Sequence, residues 1–221
     1  MNLIRIFDFM LCAISLLFLM PLLFFVMAIL KLTGEHKIFY LQDRVGLNGK
    51  SFKLVKFATM LENSAEFGSV TVSGDPRILP FGVLLRKSKL NELPQLWNIL
   101  IGDMSLIGPR PLTLEAFDLY HKNLRLIIKS VKPGLSGVGS IAFRNEEEIL
   151  SEQDNPMDFY KSQVVPFKGE LEAWFVKNQS IRLYLKLIFL TLLVVLMPKK
   201  KIPWGFINLE PTPPLALKKY F

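Results

Sequence analysis

SKLNELPQLWNILIGDMSLIGPRP, running from Ser88 to Pro111, is the stretch on which the reading of this chain turns. Glu92 and Asp103 are carboxylates suited to holding a metal ion or to acid–base work. Gly108-Pro109-Arg110-Pro111 closes the stretch. Proline fixes its own φ and restricts the residue before it, so the backbone around Arg110 is stiffened. A guanidinium held in that way suits bidentate binding of a phosphate. Taken singly, each of these residues also fits a surface loop closing a helix. The run as a whole is harder to reduce to that.

Upstream, Ser73-Gly74-Asp75-Pro76-Arg77 is a turn, and Leu79 to Leu85 leads into Arg86-Lys87. Arg86 lies five residues before Asn91. If that segment is helical, the spacing is about 1.4 turns and the two border one pocket. Lys37 to Met60 reads as two short extended pieces around Gly46-Leu47-Asn48-Gly49. Phe52, Leu54, Val55 and Phe57 interleave with Lys53 and Lys56, so a hairpin would turn apolar side chains one way and basic ones the other. Downstream, Val131 to Gly137 is a glycine-rich turn, either a plain turn or one whose backbone N–H groups approach an anion. Glu146-Glu147-Glu148 reads as a solvated helix start, and Asp158 to Leu196 as helical with a break at Pro166. There is no internal repeat and no low-complexity linker.

The ends of the chain speak of a membrane. Of 221 residues, 51% are hydrophobic, which is high for a soluble domain, while the net charge of +8 calls for an anionic partner. Nucleic acid, anionic lipid headgroups and phosphorylated substrates would all qualify, and the apolar excess favours the membrane. No zinc-ligand spacing or basic recognition helix supports nucleic acid. The single cysteine, Cys12, excludes an intrachain disulfide. Phe9 to Leu30 carries no charge and would make a helix of roughly 33 Å, enough for a hydrocarbon core of about 30 Å. Pro21 sits in its middle, and Arg5, Lys31 and Lys37 flank both ends, so the positive-inside rule gives no orientation. A straight span kinked at Pro21 and a re-entrant helix with both ends on one face both fit. Leu187 to Met197 is too short to span and reads as an interfacial or partly buried helix. Lys199-Lys200-Lys201 beyond it suits headgroups or a solvated tail, and Ile202 to Phe221 has no strong pattern.

These residues resemble a family, the bacterial sugar transferases: monotopic phosphoglycosyl transferases that start glycan assembly on a polyprenyl phosphate carrier. Leu90-Asn91-Glu92-Leu93-Pro94-Gln95-Leu96 and Gly102 to Pro111 are similar to its S-L-D-E-L-P-Q-L and G-D-M-S-L-V-G-P-R-P patterns. So are Gln42-Asp43-Arg44-Val45-Gly46, Lys56-Phe57-Ala58-Thr59-Met60, the spacing of Asp75, Arg77, Gly82, Leu85 and Arg86, and Val131 to Gly137 followed by Arg144. The resemblance covers roughly residues 1–195. Three positions depart from it: Met20 stands where the family often has serine, Ala58 where it has arginine, and Asn91 where it has the aspartate nucleophile.

The resemblance implies an α/β, helix-rich single domain. Its N-terminal membrane helix would be re-entrant and broken at proline (1–36), followed by the transferase domain (37–198) with amphipathic interfacial helices, and a basic, proline-rich tail (199–221). With the apolar helix starting almost at Met1, no large membrane domain is expected ahead of it. The implied activity moves sugar-1-phosphate from a UDP-sugar to undecaprenyl phosphate, with Mg2+, at anionic lipid on the cytoplasmic face of the bacterial inner membrane. Asn91 and Glu92 are then the catalytic positions. Arg86, Arg110, Arg144, Arg44 and Lys56 are the phosphate ligands, and Glu92 with Asp103 the metal ligands. A neutral amide at 91 leaves three outcomes: Glu92 is the nucleophile, Asp103 or Asp75 supplies the carboxylate, or the chain is a catalytically silent scaffold in a glycan assembly complex.

Overall fold

The computed structural model describes residues 3–67, 74–197 and 202–221. It is a helix-rich α/β chain, as the resemblance implied, and its contacts divide it into two compact units. One is Met1–Asp43 with Lys53–Gly102, the other Arg44–Phe52 with Asp103–Phe221.

The first unit opens on α1 (Leu3–Leu32). Among the described residues it is the one helix long and apolar enough to cross a membrane. Asp8, Cys12, Val26 and Leu30 are buried, on one face by their spacing, while Leu17, Phe18, Phe24 and Phe25 are exposed. The helix continues through Pro21 without interruption. A single lost N–H donor is tolerated in a long apolar helix that keeps its other backbone bonds. A hairpin follows, β1 (Phe39–Val45) and β2 (Ser51–Phe57), with its base in the first unit and its tip in the second. Leu54 and Phe57 are buried and Lys53 is exposed, but Lys56 is half-buried, so the separation of apolar from basic faces holds only in part.

After the hairpin come α2 (Pro80–Lys87) and α3 (Gln95–Ile101). Pro80 starts α2, where its missing N–H costs nothing. Arg86 and Asn91 do not share a helix, contrary to the spacing argument: Lys89 turns left-handed at φ 59°, and Leu90–Glu92 begins a separate 3-10 turn. Val26 and Leu30 of α1, Phe57 of β2 and Leu85 of α2 form one buried cluster, with Leu90 packed against it. Leu90 thereby anchors the turn that carries Asn91 and Glu92.

Asp75 and Arg77 form a compact pair in the turn before α2, whose Ser73 lies outside the described residues. Arg77 Nη2 is 2.5 Å from Asp75 Oδ2, its Nε bonds both carboxylate oxygens, and its Nη1 donates to Ser64 O at 2.9 Å. The Arg77 hydrogen bond holds the Asp75 carboxyl below its usual value of 3.8. Asp75→Asn is expected to lower stability by about 1.5–3 kcal/mol, the range for a hydrogen bond to a charged group. The sign of the pH effect follows from the lowered pKa. The stabilisation is present above pH 3.8 and lost as the pH falls through the lower folded value. Thermal melts of both proteins across acid pH measure it: the gap between them should close only at the acid end.

The second unit starts from the hairpin tip, where Leu47–Gly49 makes a 3-10 turn with Asn48 at φ 57° and Gly49 at φ 79°. Then come β3 (Ser105–Ile107), α4 (Leu114–Asp118), α5 (Lys122–Ile128) and β4 (Gly134–Ser136). They are followed by α6 (Val138–Ala142), α7 (Glu146–Ser151) and α8 (Pro156–Phe159). The last two helices are α9 (Val165–Lys177) and α10 (Ile181–Leu196). β3 and β4 pair in parallel, Ser105 against Gly134 and Ile107 against Ser136.

Pro166 does not break the helix as expected. The chain stays helical from Pro156 to Lys177 through a π-helical stretch, Tyr160–Val164, just before the proline. The wider turn accommodates a residue that lacks the N–H of a regular ladder. The break falls instead at 178–180, where the Ser180 side chain accepts the Leu183 N–H and starts α10. Glu146 is not simply solvated: it pairs with Lys168, which is buried. The C-terminal stretch is packed rather than loose. Leu217 is buried, and the Phe221 ring meets Phe143, Phe167 and Trp204. Tyr220 and Lys219 both bond Glu152. Pro198 and Lys199 to Lys201 lie outside the described residues.

Candidate active site

In the first unit the catalytic candidates sit on a braced turn. Asn98, buried on α3, accepts the Val55 N–H at 3.0 Å through Oδ1 and donates to Lys53 O at 2.8 Å through Nδ2. One side chain thus completes two backbone bonds of β2 and fixes α3 against it. The guanidinium of Arg5 donates to Ile99 O and, at 2.7 Å, to Leu100 O, closing the C-terminal carbonyls of α3 with a positive charge. The long apolar helix and the helix behind the candidate turn are therefore tied together. Gly82 lets α2 approach β2's end closely: a Cβ there would stand 2.3 Å from Thr59 O.

On that turn Asn91 is buried at 8% exposure, and its Oδ1 accepts no hydrogen bond. An orphaned buried amide oxygen is uncommon and costly, and it marks a place for a donor or a cation. Glu92, next along the 3-10 turn, is half-buried. Magnesium takes few protein ligands and fills its sphere with phosphate oxygens and water. Asn91 Oδ1 and the Glu92 carboxylate fit that modest demand. Among the described residues no group of three His, Cys, Asp or Glu side chains forms a metal cluster. Arg86 and Lys56 lie in this unit too; Asp103, Arg44, Arg110 and Arg144 lie in the second. Both oxygens of Asp75 are engaged by Arg77, which makes it a poor nucleophile.

In the second unit the Gly108–Pro111 loop is held from three sides. The hairpin tip reaches it through Val45 N–H to Leu112 O at 2.9 Å and Arg44 Nη1 to Pro111 O at 3.1 Å. The β4 turn reaches it through Gly108 N–H to Ser136 O and Gly134 N–H to Pro109 O. The Gly134 N–H of the glycine-rich turn is thus committed to a backbone partner, and the turn packs closely on the loop. A Cβ on Gly134 would stand 2.0 Å from Gly108 N, and one on Gly137 2.2 Å from Gly108 O. The third support is Glu172 of α9, whose Oε1 accepts the Arg110 N–H at 3.1 Å. Glu172 is 1% exposed, and burial pushes its carboxyl up to about 7. Sequence reasoning missed it. Arg144 is half-buried at the end of α6, and burial lowers its proton affinity from the usual arginine value.

The sequence model of the bacterial sugar transferases matches residues 1–198, across both units. The chain belongs to the bacterial sugar transferase family. Its members are transferase enzymes, and several relatives are named accordingly. The sugar transferase EpsL of Bacillus subtilis is 37% identical over 199 residues, 87% of each chain. The exopolysaccharide production protein ExoY of Rhizobium meliloti is 36% identical over 158 residues, 64% of this chain and 70% of that one. The UDP-glucose:undecaprenyl-phosphate glucose-1-phosphate transferase of Escherichia coli is 31% identical over 189 residues. That alignment takes in 83% of this bacterial sugar transferase chain but 38% of the longer relative.

Proposed function

We propose that this bacterial sugar transferase moves sugar-1-phosphate from a UDP-sugar to undecaprenyl phosphate, the first membrane step of a glycan assembly. The observation that carries the reading is the pairing of Glu92 with the orphaned, buried Asn91 Oδ1 on one braced turn. Relatives named for UDP-sugars and undecaprenyl phosphate support the substrate class. The exposed apolar residues of α1, and separately those of α10 (Leu185, Phe189, Leu192 and Leu196), suit a chain seated at the cytoplasmic face of the inner membrane, among anionic lipids.

The chemistry follows from the residues. Both substrates are phosphates, so their charge must be offset by cations that are already in place. The stiffened Arg110 loop, with Arg44 beside it, serves that need; Arg86, Arg144 and Lys56 are the further cations. The Glu92 carboxylate attacks the phosphorus that bears the sugar; the P–O bond to UMP breaks and UMP leaves with that electron pair. The phosphosugar is then carried on Glu92 until the lipid phosphate oxygen attacks the same phosphorus and frees the carboxylate. Asn91 orients the donor phosphate through its amide. A magnesium ion on Asn91 Oδ1 and Glu92 would supply further neutralisation of phosphate charge when bound.

UMP release from a panel of UDP-sugars, by purified protein with undecaprenyl phosphate and magnesium, tests this. Asn91→Asp restores the family's own acidic pair and is expected to keep turnover within about tenfold of wild type. No turnover by wild type, with activity appearing only in Asn91→Asp, would mean a silent scaffold instead.

A further inference from the structure

We propose that Glu172 is a positioning residue for the phosphate-holding loop: its carboxylate ties the Arg110 backbone to α9, close against α6, and so fixes where the Arg110 guanidinium points. This rests on the reading of Arg110 as a phosphate ligand.

Glu172 lies 62 residues from Arg110 in sequence, yet its Oε1 accepts the Arg110 N–H and lies close against Gly139 of α6. The site is shaped for that oxygen: a Cβ at position 139 would stand 2.4 Å from it. Its other oxygen, Oε2, is buried and makes no hydrogen bond. Leu171 and Phe175 flank it on α9, both fully buried. A carboxyl group in such surroundings costs free energy that an apolar side chain of the same size would not. Its presence is explained by what it bonds, not by the space it fills. The charged and titratable groups around it are Lys168 on its own helix, Arg110 on the loop and the buried Tyr120 between α4 and α5. Lys168 is already paired with Glu146. The remaining role for Glu172 is to hold two backbone segments together. Pro109 and Pro111 stiffen the loop from within, and Glu172 fixes its place from outside.

The test uses the full chain in lipid nanodiscs. Glu172→Gln keeps an acceptor oxygen at the same place; Glu172→Leu keeps the bulk without it. Gly139→Ala pushes the carboxylate away from the opposite side. Three readouts serve: UDP binding with magnesium by calorimetry, hydrogen exchange of the Arg110 amide, and UMP release. Glu172→Gln is expected to bind UDP within about twofold of wild type and keep the Arg110 amide protected. Glu172→Leu and Gly139→Ala are expected to bind about tenfold more weakly, with a faster-exchanging Arg110 amide. Should Glu172→Leu fail to fold, the other two variants decide. Wild-type UDP affinity in the variants that lose the acceptor, or equal losses in Glu172→Gln and Glu172→Leu, would overturn the inference while leaving the transferase reading intact. A wild type that does not bind UDP at all would overturn the transferase reading, and the phosphate role of Glu172 with it.

Discussion

Glu92→Gln is expected to abolish UMP release while leaving the melting temperature near that of wild type. The substitution is close to isosteric, and Glu92 is only half-buried on its 3-10 turn, so packing changes little. Chemistry changes a great deal. A carboxylate carries a full negative charge to the phosphorus and leaves again as a stable anion, and an amide does neither. Loss of a nucleophile in other enzymes costs about 10⁴-fold or more in kcat, and a drop of at least about 10³-fold is expected here. The drop should appear in kcat, with UDP affinity largely kept, because the arginines proposed to hold the diphosphate are untouched. Full activity in Glu92→Gln would move the nucleophile to Asp103, since Asp75 is locked against Arg77.

Gly134→Ala is expected to be the most destabilising Gly→Ala change among the described glycines. The new Cβ would sit 2.0 Å from Gly108 N and 2.5 Å from Ser136 O, atoms of backbone that cannot swing aside. Relief requires parting β3 from β4 and moving the Gly108–Pro111 loop with them. Overpacking of this kind costs about 3 kcal/mol or more. The loop that carries Arg110 is displaced by the same movement, so UDP binding should fall together with the melting temperature. Gly74→Ala is the control: space around that glycine is open, although its φ of 77° adds backbone strain. Differential scanning calorimetry of the two variants separates steric collision from strain, and Gly134→Ala should lose clearly more. Equal losses would contradict the close packing of the two backbone segments.

Local features were legible in the sequence where one residue type forces one backbone state. Gly46-Leu47-Asn48-Gly49 announced the hairpin turn, and Asn48 and Gly49 do adopt positive φ. The long apolar run of α1 announced its helix. Features set by distant partners were not legible. The left-handed turn at Lys89 separates two helical pieces, and no glycine or asparagine marks it. Pro166 looked like a break because its effect depends on whether the preceding turn can widen. Phe221 looked unpatterned because its partners Phe143 and Phe167 lie far back in the chain. Glu172 was hidden for the same reason: an acidic residue inside a predicted helix reads as solvent-facing until a backbone N–H from another segment is found at its tip. The signal that could have exposed it is its setting in Leu171-Glu172-Ala173-Trp174-Phe175, an acid within an apolar run.

Glu92 is the residue proposed to carry the phosphosugar. Incubating the protein with its UDP-sugar in the absence of lipid acceptor, then digesting it and mapping the modified peptide by mass spectrometry, tests that most directly. One sugar-phosphate adduct is expected, on Glu92, and it should disappear when undecaprenyl phosphate is added. An adduct on Asp103, or lipid-dependent UMP release with no adduct on any residue, would contradict it.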